Sequence, residues 1–141
     1  LSCAYDSAIS TATPEDWGRE FGDLVLAVRV IPNISAAIAF INHHGSVHTD
    51  SIIAEVEVAK GLFVNQVRSS SVMVNCSTRF ADGYRYGLGA EVGISTGRLH
   101  ARGPVGIEGL QTYQWVLRGE GHVVADYFGT APQRAFKHDL G

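Results

Sequence analysis

The stretch DSIIAEVEVAKGLFVNQVRSSSVMVN, residues 50–75, decides the fold. It opens on the short apolar run Asp50-Ser-Ile-Ile-Ala-Glu55 and closes on another, Ser71-Val-Met-Val-Asn75. Between them Ala59, Leu62, Phe63 and Val67 recur at helical spacing, which predicts a helix over 57–67 with one apolar face. Gly61 inside that helix costs about 1 kcal/mol relative to alanine. Strand, helix, strand at this length predicts a unit whose strands run parallel, joined by the helix as crossover.

Toward the N-terminus the same alternation continues. Ala37, Ile38 and Ile41 mark a helix from Ser35 to His44, with Gly45 where a C-terminal glycine cap belongs. Before it, Leu24-Val-Leu-Ala-Val-Arg-Val30 reads as a buried parallel strand by its length and β-branched content, ended by Pro32-Asn33. Residues 1–23 are polar and irregular, apart from a short helix start with Thr13 as N-cap and Pro14 in the first helical position. The expected class is α/β, with a parallel βαβαβ sheet.

Toward the C-terminus the pattern breaks. Residues 83–109 hold half of the chain's 16 glycines, interspersed with Leu88, Val92, Ile94, Leu99, Val105 and Ile107. A long glycine-rich segment of this kind is a functional loop rather than a plain connector. Gly87-Leu-Gly89 is not continued as GxGxxG, because Val92 stands where the third glycine belongs, so no dinucleotide fingerprint is present. Residues 111–118 alternate, with Tyr113, Trp115 and Leu117 on one face. Gly119-Glu120-Gly121 supplies a turn and His122 to Tyr127 returns, which predicts a β-hairpin. The tail from Gly129 to Gly141 is polar and expected to be loose.

Composition narrows the function. A chain of 141 residues predicts one domain with a sizeable core, and 45% apolar against 18% charged residues excludes disorder. With 14 acidic against 11 basic residues and a net charge of −3, there is no basic surface for nucleic acid. The stretch Val30–Thr49 lacks Asp, Glu, Lys and Arg, yet Pro32, Asn33, Asn42, His43 and His44 make it too polar to span a membrane. The first residues carry no signal peptide, and a start at Leu1 fits a fragment or a processed product. Two cysteines, Cys3 and Cys76, make neither a disulfide framework nor a zinc finger.

Two constellations could carry chemistry. In Ile41-Asn-His-His-Gly-Ser-Val-His-Thr-Asp50, His43, His44 and His48 invite a metal reading. Gly45 interrupts the helical spacing of His44 and His48, and no cysteine or carboxylate is placed to complete a site, so no metal is expected. The remaining readings are a polar turn with imidazoles bonded to the backbone, or the rim of a site contacting an anion. Asn75-Cys-Ser-Thr-Arg-Phe80 follows a strand directly, at the carboxyl end where ligands collect in open parallel sheets. Ser77, Thr78 and Arg79 form either an anion grip or a solvated turn. Cys76 reads as a small apolar residue rather than a nucleophile.

Three runs carry a resemblance: INHHGSVHTDSI (41–52), VNCSTRFADGYRYGLGAEVGIST (74–96) and LHARGPVGIEGL (99–110). They closely resemble the γ-glutamyl phosphate reductases (glutamate-5-semialdehyde dehydrogenases) of the aldehyde dehydrogenase superfamily, and the similar reductase half of pyrroline-5-carboxylate synthase. The resemblance covers about residues 14–141 and matches the last third of those enzymes. Cys76 departs from the family's alanine, Phe40 from its histidine and Ile31 from its valine.

The resemblance implies the C-terminal part of a catalytic α/β domain over 1–110, with a glycine-rich active-site loop at 76–109. An oligomerisation hairpin at 111–128 and a polar tail at 129–141 would follow. It implies a cytoplasmic, homo-oligomeric enzyme of proline synthesis that reduces L-glutamate 5-phosphate with NADPH, releasing phosphate by way of a cysteine thioester. That cysteine and the cofactor domain would precede Leu1, so no catalytic residue is expected here and the chain alone should be inactive. Glu20, in Glu-Phe-Gly-Asp-Leu, resembles the superfamily glutamate that binds the nicotinamide ribose. Asn75, Ser77, Thr78, Arg79, Gly89 and Ala90 match the loop that bounds the substrate. Residues 111–127 resemble the oligomerisation arm. The alternative is a non-catalytic binding or assembly module derived from the same fold.

Overall fold

The structure, a computed structural model, describes residues 9–137. It divides into two units at Gln111/Thr112. Cys3 and the tail from 138 onward lie outside the described residues.

The first unit is built on the predicted strand–helix–strand. β1 (Thr49–Ile52) and β2 (Ser71–Val74) pair in parallel with Thr49 opposite Ser71 and Ile52 opposite Val74. Backbone bonds prolong the ladder at both ends, from Ser70 N–H to the Val47 carbonyl at 2.9 Å and from Asn75 N–H to the Ile52 carbonyl at 2.8 Å. The crossover is α2 (Glu57–Gln66), and α1 (Ile34–His44) precedes β1. Asn33 caps α1, its side-chain oxygen accepting from Ala36 N–H at 2.9 Å, which satisfies one of the helix's open amides. Glu57 in the first turn of α2 pairs with Lys60 at 2.6 Å.

The core forms where these helices meet the sheet. Ile38 from α1, Phe63 from α2 and Val67 just beyond α2 are buried, with Ile34, Ile41, Ile52, Leu62 and Val72 packed around them. The expectation of a sizeable core is corrected: the buried apolar side chains among the described residues are Ile38, Phe63, Val67 and Met73.

The expected strand at 24–30 is not formed. The run has no strand partner among the described residues, and Leu24 and Leu26 are 103% and 83% exposed. A continuous apolar run marks a chain that can enter a sheet interior, but a strand exists only where a neighbour completes its hydrogen bonds. The segment is anchored instead by Arg29, whose guanidinium lies 4.5 Å from the Phe40 ring centroid and 5.8 Å from that of Trp17. The helix start at Thr13 is present as a single 3₁₀ turn, Pro14–Asp16, with the Asp16 carboxylate accepting from Thr13 N–H at 2.8 Å.

The glycine-rich segment is ordered. β3 (Gly93–Ser95) pairs antiparallel with β4 (Gly103–Val105), and the loop 96–102 joins them. Glycine is required at Gly106, where a Cβ would lie 2.8 Å from Leu88 Cβ and 2.9 Å from its carbonyl.

In the second unit the expected hairpin is corrected. No strand pairs 111–118 with 122–127, and Val124–Tyr127 is a 3₁₀ turn. Alternation sets which side chains share a face, and the Tyr113 and Trp115 rings do meet edge to face at 5.8 Å. It does not set a pairing partner, and an isolated two-stranded ribbon is marginal in water. The tail is not wholly loose: Arg134 N–H donates to the Asp126 carbonyl at 2.9 Å, and Phe136 stacks on Tyr127 at 4.9 Å. No helix among the described residues is long and apolar enough to cross a membrane.

With so few buried side chains, each one matters. Phe63→Ala should cost about 3–5 kcal/mol, and Ile38→Val only about 0.5–1.5 kcal/mol, read as the shift in urea midpoint at unchanged slope.

Candidate functional site

At the carboxyl end of β2 the chain turns sharply. Asn75 takes a left-handed conformation with φ of 55°, which asparagine tolerates better than most residues. Its side-chain oxygen accepts from Ala54 N–H at 2.8 Å, and its amide nitrogen donates to the Ala54 carbonyl at 2.9 Å. The amide thus clasps the chain leaving β1. Ser51 Oγ adds a bond to the Cys76 carbonyl at 2.9 Å. The Cys76 thiol is half-buried and free.

Ser77 then caps a 3₁₀ turn, Thr78–Phe80, its hydroxyl accepting from Arg79 N–H at 3.2 Å. The Arg79 carbonyl accepts from Arg85 at 2.8 Å. Its guanidinium is exposed and makes no hydrogen bond or ion pair among the described residues, which leaves it open to an anion. Gly89 and Ala90 lie farther along. Gly89 is exposed with φ of 70°, whereas the Ala90 carbonyl is packed so closely on Gly83 that a Cβ there would lie 2.4 Å away.

Glu20 belongs to a different place. It lines an open cleft of about 570 Å³ with His44, His48, Asp50, Phe40 and Thr96. Gly18 allows this: at φ of 83° it lies against the end of α1, where a Cβ would come within 2.5 Å of the His44 carbonyl. His48 Nδ1 and Thr49 Oγ1 share a hydrogen bond of 2.5 Å, and Ser69 Oγ donates to the Asp50 carboxylate. The histidine run does not converge. His43 and His44 meet edge to face at 4.5 Å, and no group of metal-ligating side chains comes together among the described residues. The turn reading is corrected in detail, since His48 bonds a neighbouring hydroxyl rather than the backbone. His48, just before β1, and Asp50, within it, line the same cleft as Glu20, a grouping that no local sequence pattern marks.

The His44 imidazole is held below its ordinary pKa of 6.5, first by loss of hydration and then by the positive charges of His43 and Arg29. Its ring also packs on Phe40 at 4.5 Å.

Comparison with known proteins shows what the chain resembles. No protein-family model matches the chain. The γ-glutamyl phosphate reductase of Methanosarcina acetivorans is 58% identical over 123 residues, 87% of this chain and 28% of the relative. That of Synechococcus elongatus is 57% identical over 130 residues, 92% of this chain and 30% of the relative. The match falls in their C-terminal part. The crystal structure of the γ-glutamyl phosphate reductase of Thermotoga maritima superposes with a TM-score of 0.79 at 45% identity, over 82% of this chain and 28% of that one. Over most of its length the chain is similar to the C-terminal part of γ-glutamyl phosphate reductases. It spans under a third of the length of the relatives it matches. The chain holds two candidate regions, the Glu20 cleft and the turn at Arg79.

Asn75 is fixed by its clasp. Asn75→Ala should lose about 2 kcal/mol, since it leaves two backbone groups of Ala54 without their partner and removes the polar side chain that lets asparagine tolerate positive φ. Asn75→Gly should lose less, and equal urea midpoints for all three proteins would return Asn75 to the ligand-binding set.

His44 should make stability depend on pH. A histidine whose folded pKa is lowered binds fewer protons folded than unfolded, so its contribution is complete above about pH 6.5 and is lost as pH falls through the folded pKa. Thermal melts between pH 7 and 5 should therefore fall less steeply in His44→Gln than in the parent.

Proposed function

We propose that this chain is the C-terminal segment of an NADPH-dependent enzyme that reduces L-glutamate 5-phosphate to L-glutamate 5-semialdehyde in proline biosynthesis. The observation that carries this reading is 58% identity over 123 residues to a γ-glutamyl phosphate reductase. A cytoplasmic homo-oligomer assembled through 111–127 belongs to the same reading. Support for assembly comes from Trp115 and Leu117, 83% and 92% exposed on a segment without a strand partner among the described residues.

The residues suit the roles. Glu20 offers an exposed carboxylate with no partner among the described residues, the form in which an acceptor can take the hydroxyls of a ribose. NADPH would supply a hydride there. Arg79, with Ser77 and Thr78, offers a guanidinium and hydroxyls to an anionic substrate at the end of β2. Asn75 acts one step back by holding the turn that presents them, and Gly89 and Ala90 would border the same loop. The nucleophilic cysteine is assigned to the part of the enzyme outside this chain, so the 141 residues alone should show no turnover.

A chimera tests this. Replacing the matching segment of the Methanosarcina acetivorans reductase with this chain should preserve phosphate-dependent reduction of NADP by glutamate 5-semialdehyde. In that chimera Arg79→Ala should lower kcat/KM for the phosphorylated substrate about ten- to hundred-fold. Glu20→Gln should slow hydride transfer while stability stays within about 1 kcal/mol. A folded but inactive chimera would count against the reading.

A further inference from the structure

The loop 96–102 and the turn at 106–109 enclose a second cavity, of about 430 Å³, remote in sequence from Glu20. Leu88, Pro104 and Val105 make part of its wall apolar, His100 lines it too, and charges of both signs border it: Arg98 and Arg102 on the loop, Glu108 on the turn. The Arg102 guanidinium donates to the Arg68 carbonyl, which fixes the loop to the chain following α2. Arg98 and Glu108 make no ion pair with each other or with any other described residue. Opposite charges that line one cavity without joining leave room for a ligand that carries both signs.

We propose that this cavity takes the α-amino-acid end of a substrate, its carboxylate held by Arg98 and Arg102 and its ammonium by Glu108. Guanidinium and carboxylate match in plane and in donor and acceptor count, and an ammonium needs an acidic acceptor. Apolar walls suit the methylene chain between the two ends of an amino acid, and the volume is that of a small-molecule site. The assignment rests on the reading above for identifying the ligand as a glutamate derivative. The zwitterionic class follows from the cavity's own charges.

The discriminating experiment is titration of the isotopically labelled 141-residue chain by nuclear magnetic resonance with L-glutamate, glutarate and inorganic phosphate. L-glutamate should saturate and shift backbone amides within 98–109. Glutarate, which lacks the ammonium, should bind about tenfold more weakly, and Glu108→Gln should erase that preference. Arg98→Ala should weaken both acids about tenfold or more. Absence of saturation by L-glutamate would overturn the proposal, as would equal binding of glutarate by the parent or shifts from inorganic phosphate as large as those from glutamate. Because no turnover is read, the two ideas fail separately. Saturable glutamate binding beside an inactive chimera would sink the enzymatic reading alone. An active chimera beside a chain indifferent to glutamate would sink the cavity assignment alone.

Discussion

Two asparagine amides hold this fold in register. A carboxamide carries a donor and an acceptor side by side, so it can stand in for a peptide group. Asn42, on α1, donates to the Gln66 carbonyl at 2.9 Å and accepts from Arg68 N–H at 2.9 Å, closing the end of α2 onto α1. Asn75 does the same between the end of β2 and Ala54. Each clasp satisfies a donor and an acceptor that the helix end or the strand end would otherwise leave open, and the second sits where the parallel pair would begin to fray. The position of the turn at Arg79 follows from the second clasp, and the position of His44 against Gly18 from the first.

Polar clasps carry this weight because the apolar core is small. Ile38, Phe63 and Val67 form one cluster, while the apolar residues of 24–30 and 112–118 face outward among the described residues. Burial contributes about 25 cal/mol per Å² only for surface that leaves water. The exposed runs therefore add little to the stability of the segment as it stands. They are the kind of surface that a larger assembly covers.

The strand–helix–strand unit was legible because its signals are local. Helical spacing in 57–67 and β-branched runs on either side are read within a few residues, and α1 and α2 lie within a residue or so of expectation. Neither the run 24–30 nor the expected hairpin forms strands among the described residues, since a strand needs a pairing partner that its own side-chain pattern does not specify. The candidate sites divide in the same way. Arg79 is legible as a cation after a strand, read as an anion grip or a solvated turn, and its guanidinium has no partner among the described residues. Asn75, expected on the loop that bounds the substrate, also clasps a backbone group 21 residues away, a partner that no local pattern marks. The histidine run looked chemical, whereas its neighbour Asn42 does the structural work and His44 packs on Phe40.

Charge separates the two candidate regions, and this constrains how a cofactor and a substrate could share them. The cleft at the end of α1 is lined by the carboxylates of Glu20 and Asp50, with Arg19 its lone arginine. Phosphate groups placed beside two carboxylates would be repelled, so only an uncharged, hydroxyl-bearing part of a dinucleotide suits that cleft. The turn at Arg79 has the opposite character, and the cavity lined by Arg98, Arg102 and Glu108 carries both signs. An anionic substrate gains from those cations and would gain nothing at Glu20. On the reading proposed above, charge would direct hydroxyl donors toward α1 and anions toward Arg79 at the end of β2.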